Sequence, residues 1–81
     1  MTYNTHEVSL LYPRIRDLRE DADLTQSQMA HVLNVSQTTY SRYESGALDI
    51  PSAALIALAK FHHTSVDYLL GLTSNPAPYE P

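Results

Sequence analysis

Apolar residues recur at intervals of three and four along most of this chain, and residues that typically begin or end helices interrupt the recurrence. This spacing places apolar side chains on one face of an α-helix, whereas a half-buried strand would alternate apolar and polar residues. The sequence contains no alternating segment and no internal repeat. We therefore predict an all-α fold, a compact bundle of five short helices.

The boundaries of the first two helices follow from capping chemistry. Pro13 suits a first turn, because its missing N–H would be unpaired there, and it predicts helix one over about residues 13–22. Thr25 and Gln28 have the spacing of a capping box, which begins helix two. Helix two ends before Asn34, which tolerates the left-handed conformation in which a chain leaves a helix sharply.

Each of the next three predicted helices begins at a serine or a proline and ends near a glycine or a histidine. The predicted segments, with their flanking residues, run from about Ser36 to Gly46, from Pro51 to His62 and from Ser65 to Gly71. Helical periodicity also predicts which side chains face the core. They are Ile15, Leu18, Ala22, Met29, Ala30, Leu33, Tyr40, Tyr43, Leu55, Ile56, Leu58, Ala59, Val66, Tyr68, Leu69 and Leu70.

The length of 81 residues allows a single domain. Residues 1–12 show no sustained period and are predicted to be an N-terminal arm, residues 13–72 the folded domain, and residues 73–81, with three prolines, a C-terminal tail. The absence of cysteine excludes disulfides and thiolate zinc sites. No apolar run approaches the about 18 residues of a membrane span, and we expect a cytoplasmic protein.

Helix three has two chemically different sides at about 100° per residue. Thr39, Tyr40 and Tyr43 share one side. The other side is formed by hydrogen-bonding residues without a carboxylate, namely Gln37, Thr38, Ser41, Arg42 and Ser45. Such groups match base edges and phosphates, since glutamine pairs with adenine and arginine with guanine. The alternative is an inert polar surface.

The distribution of charge distinguishes this region from the rest of the chain. The whole chain has a formal net charge of -4, yet residues 24–43 contain no Asp or Glu and one Arg. The overall acidity argues against nonspecific coating of nucleic acid. The stretch without acidic residues favours phosphate binding by this region.

Helices two and three are joined by a turn of three or four residues, which is the arrangement of a helix-turn-helix unit. The sequence of this unit is LTQSQMAHVLNVSQTTYSRYESG, residues 24–46. It closely resembles the Cro and phage-repressor type (Xre-like) helix-turn-helix family in its opening Thr-Gln, its Val-Ser turn and its closing Tyr-Glu-x-Gly. The flanking segments YPRIRDLRED and SVDYLLG resemble the family's first and fifth helices. The resemblance implies a bundle of the lambda-repressor-like DNA-binding type and a small transcriptional regulator, usually a dimeric repressor, that binds operator DNA.

The resemblance also implies roles for individual residues. Base reading in the major groove is implied for Gln37, Thr38 and Arg42. Phosphate contacts are implied for Gln26, Ser36, Thr39, Ser41 and Ser45. A structural ion pair between helices one and three is implied for Arg19 and Glu44. The chain departs from the family pattern at Asn34, where glycine is usual, and at Ala22-Asp23, where a glycine is common.

Other function classes find little support in the sequence. An enzyme needs a nucleophile, a base and a pocket, and the chain has no cysteine and no glycine-rich phosphate loop. The only plausible metal ligands are His6, His31, His62 and His63. His62 and His63 are adjacent and so point about 100° apart on a helix, and no carboxylate lies at ligand spacing from either, so neither a metal nor another cofactor is expected. The alternative function that stays open is a protein-interaction module, such as an antitoxin-like partner, that binds through an acidic surface.

A dimer is predicted because a single recognition helix has only a small area with which to contact DNA. One recognition helix contacts only a few base pairs, so we expect a homodimer on a palindromic operator, formed either in solution or with the help of DNA. Apolar residues late in the chain are the expected interface, namely Tyr68, Leu69, Leu72 and the proline-rich tail. The alternative is that Leu72 closes the core and the tail is disordered.

Overall fold

The computed structural model describes residues 12–78 and contains five α-helices in that range. They are α1 (Ile15–Asp21), α2 (Gln26–Leu33), α3 (Gln37–Ser45), α4 (Ser52–Phe61) and α5 (Val66–Leu69). No strand occurs among these residues, so the all-α prediction is confirmed. The predicted N-terminal arm, apart from Tyr12, and the last three residues of the predicted tail lie outside the described part of the chain.

Side-chain caps fix the starts of α2 and α3. The Thr25 hydroxyl accepts the Gln28 backbone N–H at 3.1 Å, and the Gln28 side-chain oxygen Oε1 accepts the Thr25 backbone N–H at 2.8 Å. The Ser36 hydroxyl accepts the Thr39 N–H at 3.0 Å. These bonds satisfy N–H groups that have no partner inside the first turn of a helix.

The turn between α2 and α3 depends on one left-handed residue. Asn34 has φ 58° and ψ 44°, and the following Val35 N–H returns to the Ala30 carbonyl oxygen at 3.0 Å. Asparagine adopts this conformation at low cost, which explains why it can occupy a position where the family usually has glycine. Gly46, at φ 80°, ends α3 in the same region of conformational space.

The core lies where α3 packs against α2, with α4 packed against α2 and α5 against α4. Its buried apolar residues are Ile15, Met29, Ala30, Tyr40, Tyr43, Ile50, Leu58, Ala59 and Leu69. The rings of Tyr40 and Tyr43 meet edge to face, with their centroids 6.4 Å apart. Both tyrosines project from one side of α3, so the opposite side of this helix is left to solvent.

Two side chains predicted to face the core are exposed instead. Ala22 lies beyond the end of α1, at the capping position, and the inward place on that helix is taken by the buried Arg19. Ile56 is 48% exposed. It follows Leu55 by one residue and so projects about 100° away from it around α4, outside the arc that the core covers.

Both ends of the folded domain differ from the prediction. Tyr12 packs against the core, and its hydroxyl oxygen accepts the Ile50 N–H at 3.0 Å. Leu69, predicted as part of a dimer surface, is fully buried and cannot contact a partner. Leu72 is 72% exposed and therefore does not close the core.

The segment after α5 is held against α1 by one arginine. Arg14 Nη1 donates to the carbonyl oxygens of Tyr68 and Thr73, at 2.7 Å each. The guanidinium also lies 4.0 Å from the centroid of the Tyr68 ring, a cation–π arrangement. The first residue of the predicted tail is thus attached to the domain. None of the helices within residues 12–78 is long and apolar enough to cross a membrane.

Candidate nucleic-acid interface

The structure gives α3 a buried side and an exposed side. Tyr40 and Tyr43 anchor the helix in the core. The three side chains that the resemblance assigned to base reading, Gln37, Thr38 and Arg42, are all exposed on the opposite side. We call these three residues the reading surface. The two tyrosines hold the backbone of α3, while the reading surface makes little contact with the core and is accessible to a ligand.

The hydroxyls of Ser36 and Thr39 form a pair at the start of α3. Besides capping the Thr39 N–H, the Ser36 hydroxyl donates its hydrogen to Thr39 Oγ1 at 2.9 Å. A hydroxyl has a single hydrogen to donate. Ser36 therefore orders the first turn, and the hydrogen of the half-buried Thr39 hydroxyl is the one that is left for an anion.

Two further serines had been assigned to phosphate contacts by the resemblance. The Ser45 hydroxyl donates to the Arg42 carbonyl oxygen at 3.2 Å and accepts the Ala47 N–H at 3.3 Å, which ties it to the turn after α3. Ser41 is half-buried within the helix. Ser45 thus supports the end of the helix that carries Arg42, and its own hydrogen is already in use.

Arg19 of α1 and Glu44 of α3 form a bidentate ion pair. Arg19 Nε lies 2.6 Å from Glu44 Oε2, and Arg19 Nη2 lies 3.2 Å from Glu44 Oε1. Arg19 Nη1 donates to the Leu24 carbonyl oxygen at 2.8 Å. The two side chains are only 10% and 5% exposed. The pair fastens α1 to α3 from beneath the reading surface.

The surroundings of this pair keep Glu44 ionised. Burial alone would raise the pKa of the Glu44 carboxyl, but hydrogen bonds from Arg19 and Gln26 outweigh it and the pKa is lowered. Burial, together with the nearby carboxylate, raises the pKa of Tyr40, so its hydroxyl stays protonated. Since the charge of Glu44 is compensated by Arg19, the only carboxylate of α3 adds no free negative charge beside Arg42.

A second contact joins the starts of α2 and α3. Gln26 Nε2 donates to Glu44 Oε1 at 3.1 Å, and Gln37 Nε2 donates to Gln26 Oε1 at 2.9 Å. Sequence reasoning assigned Gln26 and Gln37 to separate contacts and did not link them. Spacing gave no signal of this link, because 11 positions and a turn separate the two amides in the chain.

Sequence reasoning also missed a groove on another part of the surface. Its volume is about 560 Å³, and its walls are formed by α4, α5, the segment between them and Pro78. Ile56, Ala59, Val66 and Pro78 make the groove largely apolar, and no residue of α3 lines it. Ile56, which periodicity had placed inward, is exposed and lines this groove.

The histidines within the described residues do not assemble a metal site. Among residues 12–78, no group of three histidine, aspartate or glutamate side chains is placed to hold an ion. His6 lies outside this range. His62 is half-buried, and this burial lowers its pKa.

Comparison with known proteins identifies the family. A family model described as helix-turn-helix matches residues 15–69, which is more than half of the chain. The chain belongs to this helix-turn-helix family. The resemblance noted over residues 24–46 is thereby confirmed, and the family is a non-enzymatic one.

Three curated relatives carry regulator or repressor names. The HTH-type transcriptional regulator YobD of Bacillus subtilis (strain 168), itself called uncharacterized, is 38% identical over 65 residues, 80% of this chain and 58% of the relative. The regulator ImmR of the same organism is 34% identical over 58 residues, 72% of this chain and 46% of the relative. The cryptic phage CTXphi transcriptional repressor RstR of Vibrio cholerae is 35% identical over 57 residues, 70% of this chain and 51% of the relative.

The chain spans about half the length of these curated relatives. No solved structure gives a significant match.

Proposed function

We propose that this protein binds double-stranded DNA sequence-specifically as a transcriptional regulator, acting as a repressor, with α3 in the major groove. The observation that carries the proposal is the exposure of Gln37, Thr38 and Arg42 on one side of α3, where the only carboxylate of the helix is neutralised by Arg19. Amide, hydroxyl and guanidinium groups are those that match base edges. The names of the relatives, among them a phage repressor, agree with this function.

The proposed contacts divide into reading and positioning. Gln37, Thr38 and Arg42 contact bases, with Arg42 suited to the two acceptors of guanine. Gln26 and Thr39 each keep one hydrogen that no hydrogen bond above uses, and both donate to phosphates. Ser41 on the same helix completes the phosphate contacts, while Ser36 and Ser45 support them by ordering the two ends of the helix.

The proposed regulator acts as a homodimer on a palindromic operator. A two-fold dimer would place its recognition helices about 34 to 36 Å apart, one turn of DNA. Leu72, exposed and carried on the segment that Arg14 ties to α1, supports an interface near the end of α5. The test is sedimentation with a palindromic duplex, where two chains per duplex are expected and a single chain at saturation contradicts the dimer.

Selection from random duplexes followed by a gel shift tests DNA recognition itself. Arg42→Ala is expected to weaken binding to the selected site by about 1 to 3 kcal/mol and to relax preference at one base pair. Arg16→Ala is the matched control, because Arg16 is an exposed arginine of α1 with its side chain 69% exposed. It removes the same charge away from the reading surface and should leave base preference unchanged.

Two results would contradict this assignment. Equal losses on selected and random duplexes for Arg42→Ala would make Arg42 a phosphate contact and not a base contact. Failure of the wild type to enrich any sequence, at low as well as moderate salt, would favour a protein-interaction module that uses the same fold.

A further inference from the structure

A chain of hydrogen bonds leads from the buried ion pair to the reading surface. Glu44 Oε1 accepts from Gln26 Nε2 at 3.1 Å, and Gln26 Oε1 accepts from Gln37 Nε2 at 2.9 Å. The Glu44 side chain is 5% exposed, whereas Gln37 is exposed. These two hydrogen bonds therefore connect the Glu44 carboxylate, which DNA cannot reach, with the Gln37 amide, which DNA can reach.

The carboxylate sets the direction of both hydrogen bonds. An ionised carboxylate accepts hydrogen bonds and cannot donate them, so the Gln26 amide must turn its NH2 toward Glu44. The carbonyl oxygen of Gln26 then faces Gln37, which has to donate. Two glutamines alone would pair equally well in either direction, because each amide has a donor end and an acceptor end. Glu44 removes this ambiguity.

The direction of the bonds decides what Gln37 has left to offer. One N–H of its NH2 is engaged with Gln26, so one N–H and the carbonyl oxygen are free. One donor and one acceptor match the N7 and N6–H of adenine. Guanine presents two acceptors, N7 and O6, and would need both N–H groups. The free groups of Gln37 therefore favour adenine over guanine.

We propose that Glu44 is a positioning residue for base recognition, which fixes the amides of Gln26 and Gln37 so that Gln37 selects adenine over guanine. The proposal rests on the proposed function, since it presumes that Gln37 contacts a base. Arg19 has a different role in the same cluster. It holds the carboxylate in place but touches neither glutamine by a hydrogen bond within the described residues.

Glu44→Gln tests the proposal by exchanging one acceptor for a donor at constant shape. The new amide keeps its oxygen for Arg19 Nε, which makes the shorter of the two Arg19 bonds, gives up the bond from Arg19 Nη2 and turns its NH2 toward Gln26. The Gln26 amide then reverses and donates to the Gln37 carbonyl oxygen, which leaves both N–H groups of Gln37 free. We expect the ratio of adenine to guanine affinity to fall by at least about tenfold, only at the base pair that Gln37→Ala identifies.

Two further variants separate positioning from stability. Arg19→Lys weakens the ion pair but keeps the carboxylate, so it should lower the melting temperature and leave the adenine-to-guanine ratio unchanged. Gln26→Met keeps the ion pair and removes the link, so Gln37 is free to turn either way and the ratio falls without a large loss of stability. If Glu44→Gln does not fold, the adenine-to-guanine ratio measured for Gln26→Met tests the positioning role instead.

A measurement without DNA makes the two proposals independent. In the free protein, the Gln26 and Gln37 side-chain NH2 groups should each show one slowly exchanging, hydrogen-bonded N–H by NMR. In Glu44→Gln, Gln37 should lose its protected N–H, while Gln26 keeps one because its NH2 now donates to Gln37. Unchanged patterns in Glu44→Gln, or an unchanged base ratio in both Glu44→Gln and Gln26→Met, would overturn the positioning role. A wild type that selects no DNA sequence but shows the expected NMR change would refute the proposed function and leave the amide orientation standing.

Discussion

The α2–α3 half of the domain and the α4–α5 half are built on different chemistry. Both α2 and α3 begin with side-chain caps, and a buried ion pair and two amides connect them to each other and to α1. By contrast, α4 begins at Pro51 without a side-chain cap and α5 is only four residues long. Their surfaces meet mainly through apolar side chains and leave Ile56, Phe61 and the nearby Leu72 exposed.

This difference separates directional from nondirectional interactions. Hydrogen bonds and ion pairs require particular atoms at particular angles, so the first half fixes how α3 presents its side chains. Apolar burial depends mainly on area and volume, so the second half fixes the position of α4 without fixing its surface chemistry. We infer that the polar half is suited to reading a patterned ligand, while α4 and α5 add Leu58, Ala59 and Leu69 to the shared core.

The largest expected effect concerns the ion pair of the polar half. Glu44→Ala leaves the Arg19 guanidinium buried without its partner, and we expect the free energy of unfolding to fall by about 3 to 5 kcal/mol. The double variant Arg19→Met with Glu44→Leu removes both charges and should cost clearly less. Urea unfolding of the three proteins measures this. A double variant as unstable as Glu44→Ala would mean that the loss of stability comes from poorer packing of the new side chains and not from an unpaired charge.

In the apolar half, the loss of unfolding free energy caused by a substitution should depend only on how deeply the side chain is buried. Leu58→Ala removes a fully buried side chain of α4 and should lower the free energy of unfolding by about 2 to 5 kcal/mol. Ile56→Ala, two positions away and 48% exposed, should cost less than about 1 kcal/mol. Thermal or urea unfolding of both variants measures the difference. Equal losses would show that Ile56 is covered in solution, as in a dimer that uses the groove.

Most of the polar half was predictable from sequence. Thr25, Asn34, Ser36 and Gly46 act through local chemistry at helix ends, and their structural roles are the predicted ones. Local rules fail where the outcome depends on which arc of a helix the rest of the domain covers. For this reason Ile56 was wrongly placed in the core. Periodicity placed Leu69 in the core correctly, and its assignment to a dimer interface was wrong.

The buried and exposed sides of α3 were predictable from sequence, but the contacts between α3 and its neighbours at the candidate site were not. Helical geometry correctly separated Tyr40 and Tyr43 from the exposed side of α3. The link from Glu44 through Gln26 to Gln37 joins different elements, and no periodicity of a single helix reports contacts of that kind. Such contacts follow from the packing angle of two helices, which the sequence of either one does not contain.

A smaller effect should distinguish the caps of the two halves. Ser36→Ala removes the cap of α3 and also leaves the Thr39 hydroxyl without its donor, whereas Ser65→Ala removes only the cap of the short α5. We expect losses of about 1 kcal/mol for each cap, with Ser36→Ala the larger of the two. Equal melting temperatures for the two variants would contradict the additional role of the Ser36–Thr39 hydroxyl pair.

The smallest expected effect is a dependence of stability on pH that originates in the apolar half. His62 is half-buried at the end of α4, and its burial lowers its pKa below the ordinary value of about 6.5. In that range the unfolded chain binds more protons than the folded one, so the free energy of unfolding should fall as the pH drops from about 7.5 to about 5.5. Glu44, whose pKa is also lowered, loses its contribution only at lower pH, near and below the ordinary glutamate value of about 4.3.

His62→Gln should therefore flatten the pH profile between about pH 7.5 and about pH 5.5. His31→Gln is the matched exchange in the polar half, because His31 is exposed on α2 and its replacement removes no buried imidazole. Urea unfolding at a series of pH values measures the slopes. If His31→Gln flattened the profile and His62→Gln did not, the proton uptake would belong to the α2–α3 half, and the burial of His62 beside Phe61 would have no part in it.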